Sequence, residues 1–141
     1  MIDHVSIPVR DLAASMAFFR RVLKPLGYAL LVERPHTVGF GKRYPEFWLN
    51  ARPEMPEIPH DSGHHVCLRA ASRGAVEAFH AEALAAGGSE AGAPGERQAA
   101  MTVYFGAFVY DPDGNKLEAV TFPPQPEAAD RPAGAEASGS A

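Results

Sequence analysis

An internal repeat constrains this chain most, because one pattern of strand, cap and helix occurs twice, about 61 residues apart. In the first copy, side chains alternate between apolar and polar from Asp3 to Val9, which predicts a strand with one buried face. Asp11 then suits a helix N-cap, and Pro25 and Gly27 end the helix. The apolar stripe of this helix comprises Leu12, Met16, Phe19 and Leu23.

The second copy repeats these features in the same order. Alternation runs from His64 to Ala71, Ser72 suits an N-cap, and Gly87 and Gly88 end the helix. Its stripe comprises Val76, Phe79, Ala83 and Leu84. The common offset aligns His65 with His4, Val66 with Val5, Ser72 with Asp11, Phe79 with Phe18, Leu84 with Leu23 and Gly88 with Gly27.

Short extended segments follow each predicted helix: Tyr28 to Arg34, Thr37 to Arg43 and Glu46 to Asn50, then Thr102 to Tyr110 and Lys116 to Phe122, with one more strand between Gly88 and Met101. The sequence therefore predicts an α+β fold of two tandem βαβββ modules, 1–60 and 61–122. A unit of about 60 residues buries little apolar surface alone, so we expect the modules to share a curved mixed sheet around a cavity, with the helices outside. Residues 123–141 are rich in Pro, Ala and Gly and predict a flexible tail.

Composition limits the possible partners and locations. The net charge is -4, and the longest run of Lys or Arg is the pair Arg20 and Arg21, so neither a nucleic acid nor an anionic membrane is expected as a partner. Residues Met1-Ile2-Asp3-His4 have neither a basic start nor an apolar run, and no apolar stretch is long enough to span a membrane, so neither export nor membrane insertion is expected. Cys67 is the single cysteine. These features favour a cytoplasmic protein.

Three residues predict a metal site. Strand phase places His4 and His65 on the face opposite the helix-packing valines, so packing of the modules would direct both imidazoles into the cavity. Glu118 lies in the last predicted strand, and a carboxylate there needs a partner. Two imidazoles and one carboxylate suit one divalent ion of Fe, Mn, Zn, Ni or Co and leave positions open for substrate.

Three motifs resemble the vicinal oxygen chelate superfamily, which includes glyoxalase I, fosfomycin-resistance transferases, extradiol dioxygenases and bleomycin-binding proteins. They are His4-Val5-Ser6-Ile7-Pro8-Val9-Arg10-Asp11-Leu12, Gly63-His64-His65-Val66 and Asp111-Pro112-Asp113-Gly114-Asn115-Lys116-Leu117-Glu118. The resemblance covers roughly residues 1 to 122. It implies paired βαβββ modules and metal ligands at His4, His65 and Glu118.

Two departures from the superfamily pattern bear on the reaction. Glyoxalase I-like enzymes carry a fourth ligand near the end of the first module, where Trp48 aligns here. Extradiol dioxygenases and fosfomycin transferases have a Tyr three residues before the Asp-Pro turn, where this chain has Phe108. The choice among lyase, isomerase, thiol transferase and dioxygenase chemistry stays open.

The function expected from the resemblance is a metal-dependent, glyoxalase- or dioxygenase-like enzyme acting on a small molecule with two adjacent oxygens. Candidate substrate-binding residues are Ser6, Trp48, Arg97, Tyr104, Phe108 and Tyr110. An alternative is a non-catalytic protein that binds a drug or metabolite, and a third is a scaffold whose site has decayed. We expect a homodimer, with the modules paired either within one chain or between two.

The remaining histidines and the cysteine have simpler explanations. His36 and His80 fit a loop and a helix surface respectively, and a polar loop explains His60 and His64. Cys67 shares the strand phase of His65 and could face the cavity, but buried cysteines are mostly inert. We assign none of these residues a catalytic role.

Overall fold

The predicted pair of βαβββ modules is confirmed by a computed structural model that describes residues 1–123. The first module contains β1 (Val5–Val9), α1 (Leu12–Leu23), a 3-10 turn (Lys24–Leu26), β2 (Ala29–Glu33), β3 (Thr37–Gly41) and β4 (Pro45–Ala51). The second contains β5 (Val66–Arg69), α2 (Arg73–Ala85), β6 (Ser89–Gln98), β7 (Val103–Tyr110) and β8 (Lys116–Thr121). Residues 124–141 of the predicted tail lie outside the described part.

The strands form two four-stranded mixed sheets with the same topology, in the orders β1-β4-β3-β2 and β5-β8-β7-β6. In each sheet the first and last strands of the module run parallel, and the other pairs are antiparallel. The strands expected to share a curved mixed sheet form two four-stranded sheets, and among residues 1–123 no hydrogen-bonded strand pair joins them.

Both helices begin where the sequence predicts. The Asp11 carboxylate accepts from the backbone N–H of Ala14 at 3.0 Å, and the Ser72 hydroxyl accepts from Ala75 at 3.1 Å. Each contact satisfies one of the free N–H groups of a first helical turn. The caps therefore fix corresponding starting points for the two helices.

The helix ends differ between the modules. The chain tightens into a 3-10 turn after α1 and reverses at Gly27, whereas α2 continues to Ala85 and reverses at Gly87. Both glycines have a positive φ, which is accessible to glycine at little cost. The alignment of Gly88 with Gly27 is thus displaced by one residue, and Gly88 is needed because an added Cβ would lie 2.6 Å from the carbonyl oxygen of Tyr110.

One hydrophobic core joins the modules. The helices α1 and α2 pack against each other, and Arg21 pairs with Glu82 across them, Nε to Oε2 at 2.9 Å. A second junction involves the turn between β7 and β8, where Asp113 accepts from the Arg10 side chain at 2.8 Å. The relative placement of the two modules is therefore fixed by packing as well as by the connecting segment 52–65.

Among residues 1–123, no helix has both the length and the apolar character needed to cross a membrane.

Candidate metal centre

His65 and Glu118 form the centre of the site. They belong to neighbouring parallel segments, since Val66 pairs with Leu117 and Cys67 pairs with Glu118 in the β5–β8 register. The Nε2 atom of His65 lies 3.2 Å from Oε1 of Glu118. Only 6% of the Glu118 side chain is exposed, against 42% for His65. The sheet thus brings together two of the three predicted ligands and keeps one coordinating edge open to solvent.

The other oxygen of Glu118 binds Tyr104 on β7. The Tyr104 hydroxyl donates to Oε2 of Glu118 across 3.2 Å. Burial and the adjacent carboxylate raise the pKa of the Tyr104 phenol, so it stays a neutral donor at physiological pH. The sequence predicted that Tyr104 orients substrate in the cavity. It did not predict the hydrogen bond from Tyr104 to the proposed metal ligand Glu118.

Cys67 lies beside the same carboxylate, as its strand phase predicted. Desolvation and the neighbouring Glu118 raise the pKa of the Cys67 thiol to about 12. A thiol of that pKa is protonated at neutral pH and is a poor nucleophile, because the thiolate is the reactive form. The absence of a catalytic role for Cys67 stays a prediction.

His4 occupies the corresponding place on the first sheet but does not join the pair. Its Nδ1 contacts the Asp3 carboxylate at 2.7 Å, and both side chains are exposed. His4 and His65 border a common cavity of about 410 Å³. Within residues 1–123, however, no group of three or more His, Cys, Asp or Glu side chains is arranged to hold a metal ion.

Two cations and an aromatic ring flank the His65–Glu118 pair. Phe108 lies directly opposite Glu118 in the β7–β8 register, and its ring meets the His65 ring edge-on at 5.6 Å. The charged ends of Arg97 and Lys116 lie 5.3 and 4.9 Å from the centre of the Phe108 ring. Lys116 was missed in the sequence, because its cation reaches the ring only through the pairing of neighbouring strands.

Arg97 is largely engaged by backbone. Its guanidinium donates to the carbonyl oxygens of Ala93 at 2.8 Å and Gly95 at 3.1 Å, and also to that of Gly106. These contacts stabilise the irregular part of β6, where its register against β7 shifts. A role for Arg97 toward substrate stays a prediction.

The first module presents a separate concavity on the face that carries His4. Its volume is about 450 Å³, and Ser6, Trp48 and Asn50 line it. Trp48 pairs with Ser6 in the β1–β4 register, as Glu118 pairs with Cys67 in the second module. Trp48 therefore stands in the place of Glu118, so this module has an indole where a fourth ligand would lie.

The predictions for Tyr110 and His80 have different outcomes. Tyr110 stacks on His60 with ring centres 3.7 Å apart, so its ring packs under the 52–65 segment, and its substrate role stays a prediction. The surface position predicted for His80 is wrong. His80 is 9% exposed, and its Nε2 lies 2.9 Å from the Glu90 carboxylate, because β6 covers this side of α2.

The donor set fits a divalent metal. Glu118 is a buried carboxylate, and among residues 1–123 it has no ion pair with Lys or Arg. A buried charge of this kind requires a compensating partner, and imidazole with carboxylate suits first-row divalent ions. Among residues 1–123, His65 is the one basic side chain within ion-pair distance of Glu118, and a metal held by both groups would compensate the charge of the carboxylate.

Comparisons with known proteins agree with the fold of two βαβββ modules. A family model described as the Glyoxalase/Bleomycin resistance protein/Dioxygenase superfamily matches residues 1–119. A glyoxalase/bleomycin resistance protein from Albidiferax ferrireducens T118 superimposes with a TM-score of 0.73 at 30% identity, over 84% of this chain and 96% of the other. No curated protein matches the sequence.

Two more distant structures share the fold. A glyoxalase/bleomycin resistance protein/dioxygenase family enzyme from Burkholderia phytofirmans PsJN has a TM-score of 0.66 at 21% identity, covering 86% of this chain and 98% of its own. A genomically encoded fosfomycin resistance protein from Listeria monocytogenes has a TM-score of 0.60 at 16% identity, with coverages of 85% and 91%. Together with the family model, the repeated modules and the paired His65 and Glu118 lead to one assignment: the chain belongs to the Glyoxalase/Bleomycin resistance protein/Dioxygenase superfamily.

Proposed function

We propose that this protein is a metal-dependent enzyme acting on a small molecule with two adjacent oxygen atoms. The observation that carries the proposal is the buried Glu118 carboxylate, which has the His65 imidazole on one oxygen and lacks a Lys or Arg partner among residues 1–123. A carboxylate would not be retained at 5% exposure without a compensating charge or a function.

His4, His65 and Glu118 would hold one divalent ion of Fe, Mn, Zn, Ni or Co. When bound, such an ion polarises a carbonyl or stabilises a developing oxyanion of the substrate. The chain's own residues shape the surroundings. The cation of Lys116 lies over Phe108, beside His65 and Glu118, and attracts negatively charged oxygens of a substrate. Trp48 and Ser6 line the concavity of the first module.

We propose that a second copy of the chain supplies the third ligand, His4. His65 and Glu118 contact each other, but His4 is on the other sheet, and the shared core fixes both sheets in place. In a twofold homodimer, the first module of one copy would face the second module of its partner, and each site would receive His4 from the partner. This arrangement completes the ligand set without disrupting the core.

A mixed dimer tests this assignment. A His4→Ala chain paired with a Glu118→Ala chain has one complete site if ligands come from two copies, because the first chain supplies His65 and Glu118 and the second supplies His4. We expect about one metal ion per mixed dimer, against none in either homodimeric variant. A metal-free mixed dimer would show that each chain builds its own site.

The enzyme proposal is tested by elemental analysis of anaerobically purified protein. Wild type should contain close to one divalent ion per chain, and His65→Ala and Glu118→Ala should lose it. His36→Ala is the matched control, because His36 is an exposed histidine on the β2–β3 connection. Thermal shifts with Fe(II), Mn(II), Zn(II) and Ni(II) then identify the ion that stabilises wild type alone.

Non-catalytic binding of a drug or metabolite is the second candidate function. The concavity of about 450 Å³ beside Trp48 favours it, since an indole can stack on a planar ligand without a metal. Equal and negligible metal in wild type, His65→Ala and Glu118→Ala would favour this function over catalysis.

We also propose a cytoplasmic location. The single cysteine has no second cysteine in the chain with which to form a disulfide, as expected in a reducing compartment. Cell fractionation followed by immunodetection tests this proposal, and recovery of the protein in an exported fraction would contradict it.

A further inference from the structure

We infer that Tyr104 is a positioning residue that holds the Glu118 carboxylate in the orientation required for metal binding. The inference rests on the proposed metal site and assigns to Tyr104 a contact with a ligand instead of with substrate.

The two oxygens of Glu118 are distinguished by their neighbours. His65 contacts Oε1, and the Tyr104 hydroxyl donates to Oε2, each across 3.2 Å. Oε1 is therefore the oxygen on the side of the other ligand. A hydrogen bond to Oε2 restrains rotation of the carboxylate and leaves Oε1 as the coordinating atom. Hydrogen bonds of this kind orient ligating carboxylates in metalloproteins.

Tyr104 reaches Glu118 only because the strand leaves room for its ring. Phe108 is the residue opposite Glu118 in the β7–β8 register, so Tyr104 is four positions away along β7. Between them, on the same face, lies Gly106. A Cβ added to Gly106 would be 3.0 Å from Cε2 of Tyr104, which shows that the ring lies across the glycine. A larger side chain there would obstruct this path.

A second contact fixes the other side of the Tyr104 ring. The ring of Phe122 lies 5.7 Å from it, tilted by 37°. The phenol is thus held between an aromatic neighbour and a glycine, with its hydroxyl directed at a carboxylate. Tyr104 and Phe122 both line a cavity of about 580 Å³, but the Tyr104 hydroxyl donates to Glu118, which does not line that cavity, so a positioning role explains its direction.

The first module supplies a matched control. The Tyr28 hydroxyl donates to Oε2 of Glu46, also at 3.2 Å, and both residues line the cavity that His4 and His65 border, but Glu46 is not a proposed ligand. Tyr104→Phe and Tyr28→Phe each remove one hydroxyl and one Tyr–Glu hydrogen bond while keeping the ring. A general effect of losing such a bond would appear equally in both variants.

The test is isothermal titration of metal-free wild type, Tyr104→Phe and Tyr28→Phe with Mn(II). We expect the dissociation constant of Tyr104→Phe to rise by about 10- to 100-fold and that of Tyr28→Phe to stay within about twofold of wild type. Gly106→Ala should weaken binding in the same direction by displacing the ring. Equal affinities for wild type and Tyr104→Phe would overturn the inference.

Crystal structures of metal-free wild type and Tyr104→Phe separate this inference from the proposed function. The Glu118 carboxylate should change its orientation in Tyr104→Phe even without metal. If wild type binds none of Fe(II), Mn(II), Zn(II), Ni(II) and Co(II), the proposed function fails, and an unchanged carboxylate in the variant rejects the positioning role independently.

Discussion

The two modules share a backbone topology but differ in chemistry at corresponding positions. In the second, Glu118 contacts both His65 and Tyr104, whereas in the first, Trp48 stands in the place of Glu118 and His4 contacts its neighbour Asp3. The repeated fold therefore provides equivalent positions, and side-chain identity decides which of them form a site. Only the second module assembles two ligands by itself.

The turns between the last two strands of each module differ as strongly. Lys42, Arg43 and Tyr44 of the first turn are exposed, whereas Asp111, Asp113 and Asn115 of the second are buried. The amide group of Asn115 donates to the carbonyl of Pro8 at 2.9 Å, which connects this turn to β1. The turn between β7 and β8 therefore also connects the two modules.

The largest expected effect concerns Leu23 and Leu84, which occupy the same position in the repeat. Leu23 is fully buried, but Leu84 is 42% exposed, because α1 ends in a 3-10 turn and α2 continues. Leu23→Ala should reduce the free energy of unfolding by about 2–5 kcal/mol, and Leu84→Ala by about 0.5 kcal/mol. Urea denaturation measures both. Similar losses would mean that the repeat is symmetric in packing.

The buried turn should make stability depend on pH. Burial raises the pKa of Asp111 to about 6 from 3.8, so the folded state binds its proton more tightly than the unfolded state. This contribution is fully present below pH 3.8 and is lost as pH rises through about 6. Relative to Asp111→Asn, wild type should lose roughly 3 kcal/mol between pH 4 and pH 7. Parallel urea denaturation profiles of the two proteins would contradict this expectation.

Replacing Trp48 sharpens the comparison between the modules. Trp48→Glu gives the first module the carboxylate of the second, and we expect Mn(II) to bind about tenfold more tightly, because a fourth ligand is added and it is the second anionic one. Trp48→Gln is the control for loss of the indole. Calorimetric titration compares them, and equal affinities for the two variants would show that position 48 does not face the metal.

The smallest difference between the modules is expected at the two helix caps. Asp11 and Ser72 each cap a helix through one hydrogen bond to a backbone N–H. Asp11→Ala and Ser72→Ala should therefore each cost about 1 kcal/mol. Thermal denaturation of the two variants tests the equality. A large difference would mean that one helix depends on its cap far more than the other.

Local patterns predicted most of the fold. Alternation around Val5 and Val66, caps at Asp11 and Ser72, and the turn at Asp111 are determined by neighbouring residues, so the sequence alone locates them. Strand β6 was not delimited because Gly92, Pro94 and Gly95 interrupt its alternation, and pairing with β7 is what makes it a strand. His80 was placed on the surface because its burial depends on β6.

The candidate site divides in the same way. Residue types and their spacing identified His4, His65 and Glu118, and the fold placed two of these together. Three contacts depend on strand pairing or on packing between the modules. They are the Tyr104–Glu118 hydrogen bond, the cation of Lys116 over Phe108 and the hydrogen bond from Arg10 to Asp113. No local pattern contains that information.

The sequence by itself determined the two βαβββ modules, the caps that begin their helices and the candidate metal ligands, because these depend on periodicity and on side-chain chemistry. Tertiary structure alone decided that the sheets remain separate, that His4 is apart from His65 and Glu118, and that Tyr104 reaches a ligand across Gly106. These outcomes depend on strand register and on the packing of α1 against α2, which are set by contacts across the whole chain.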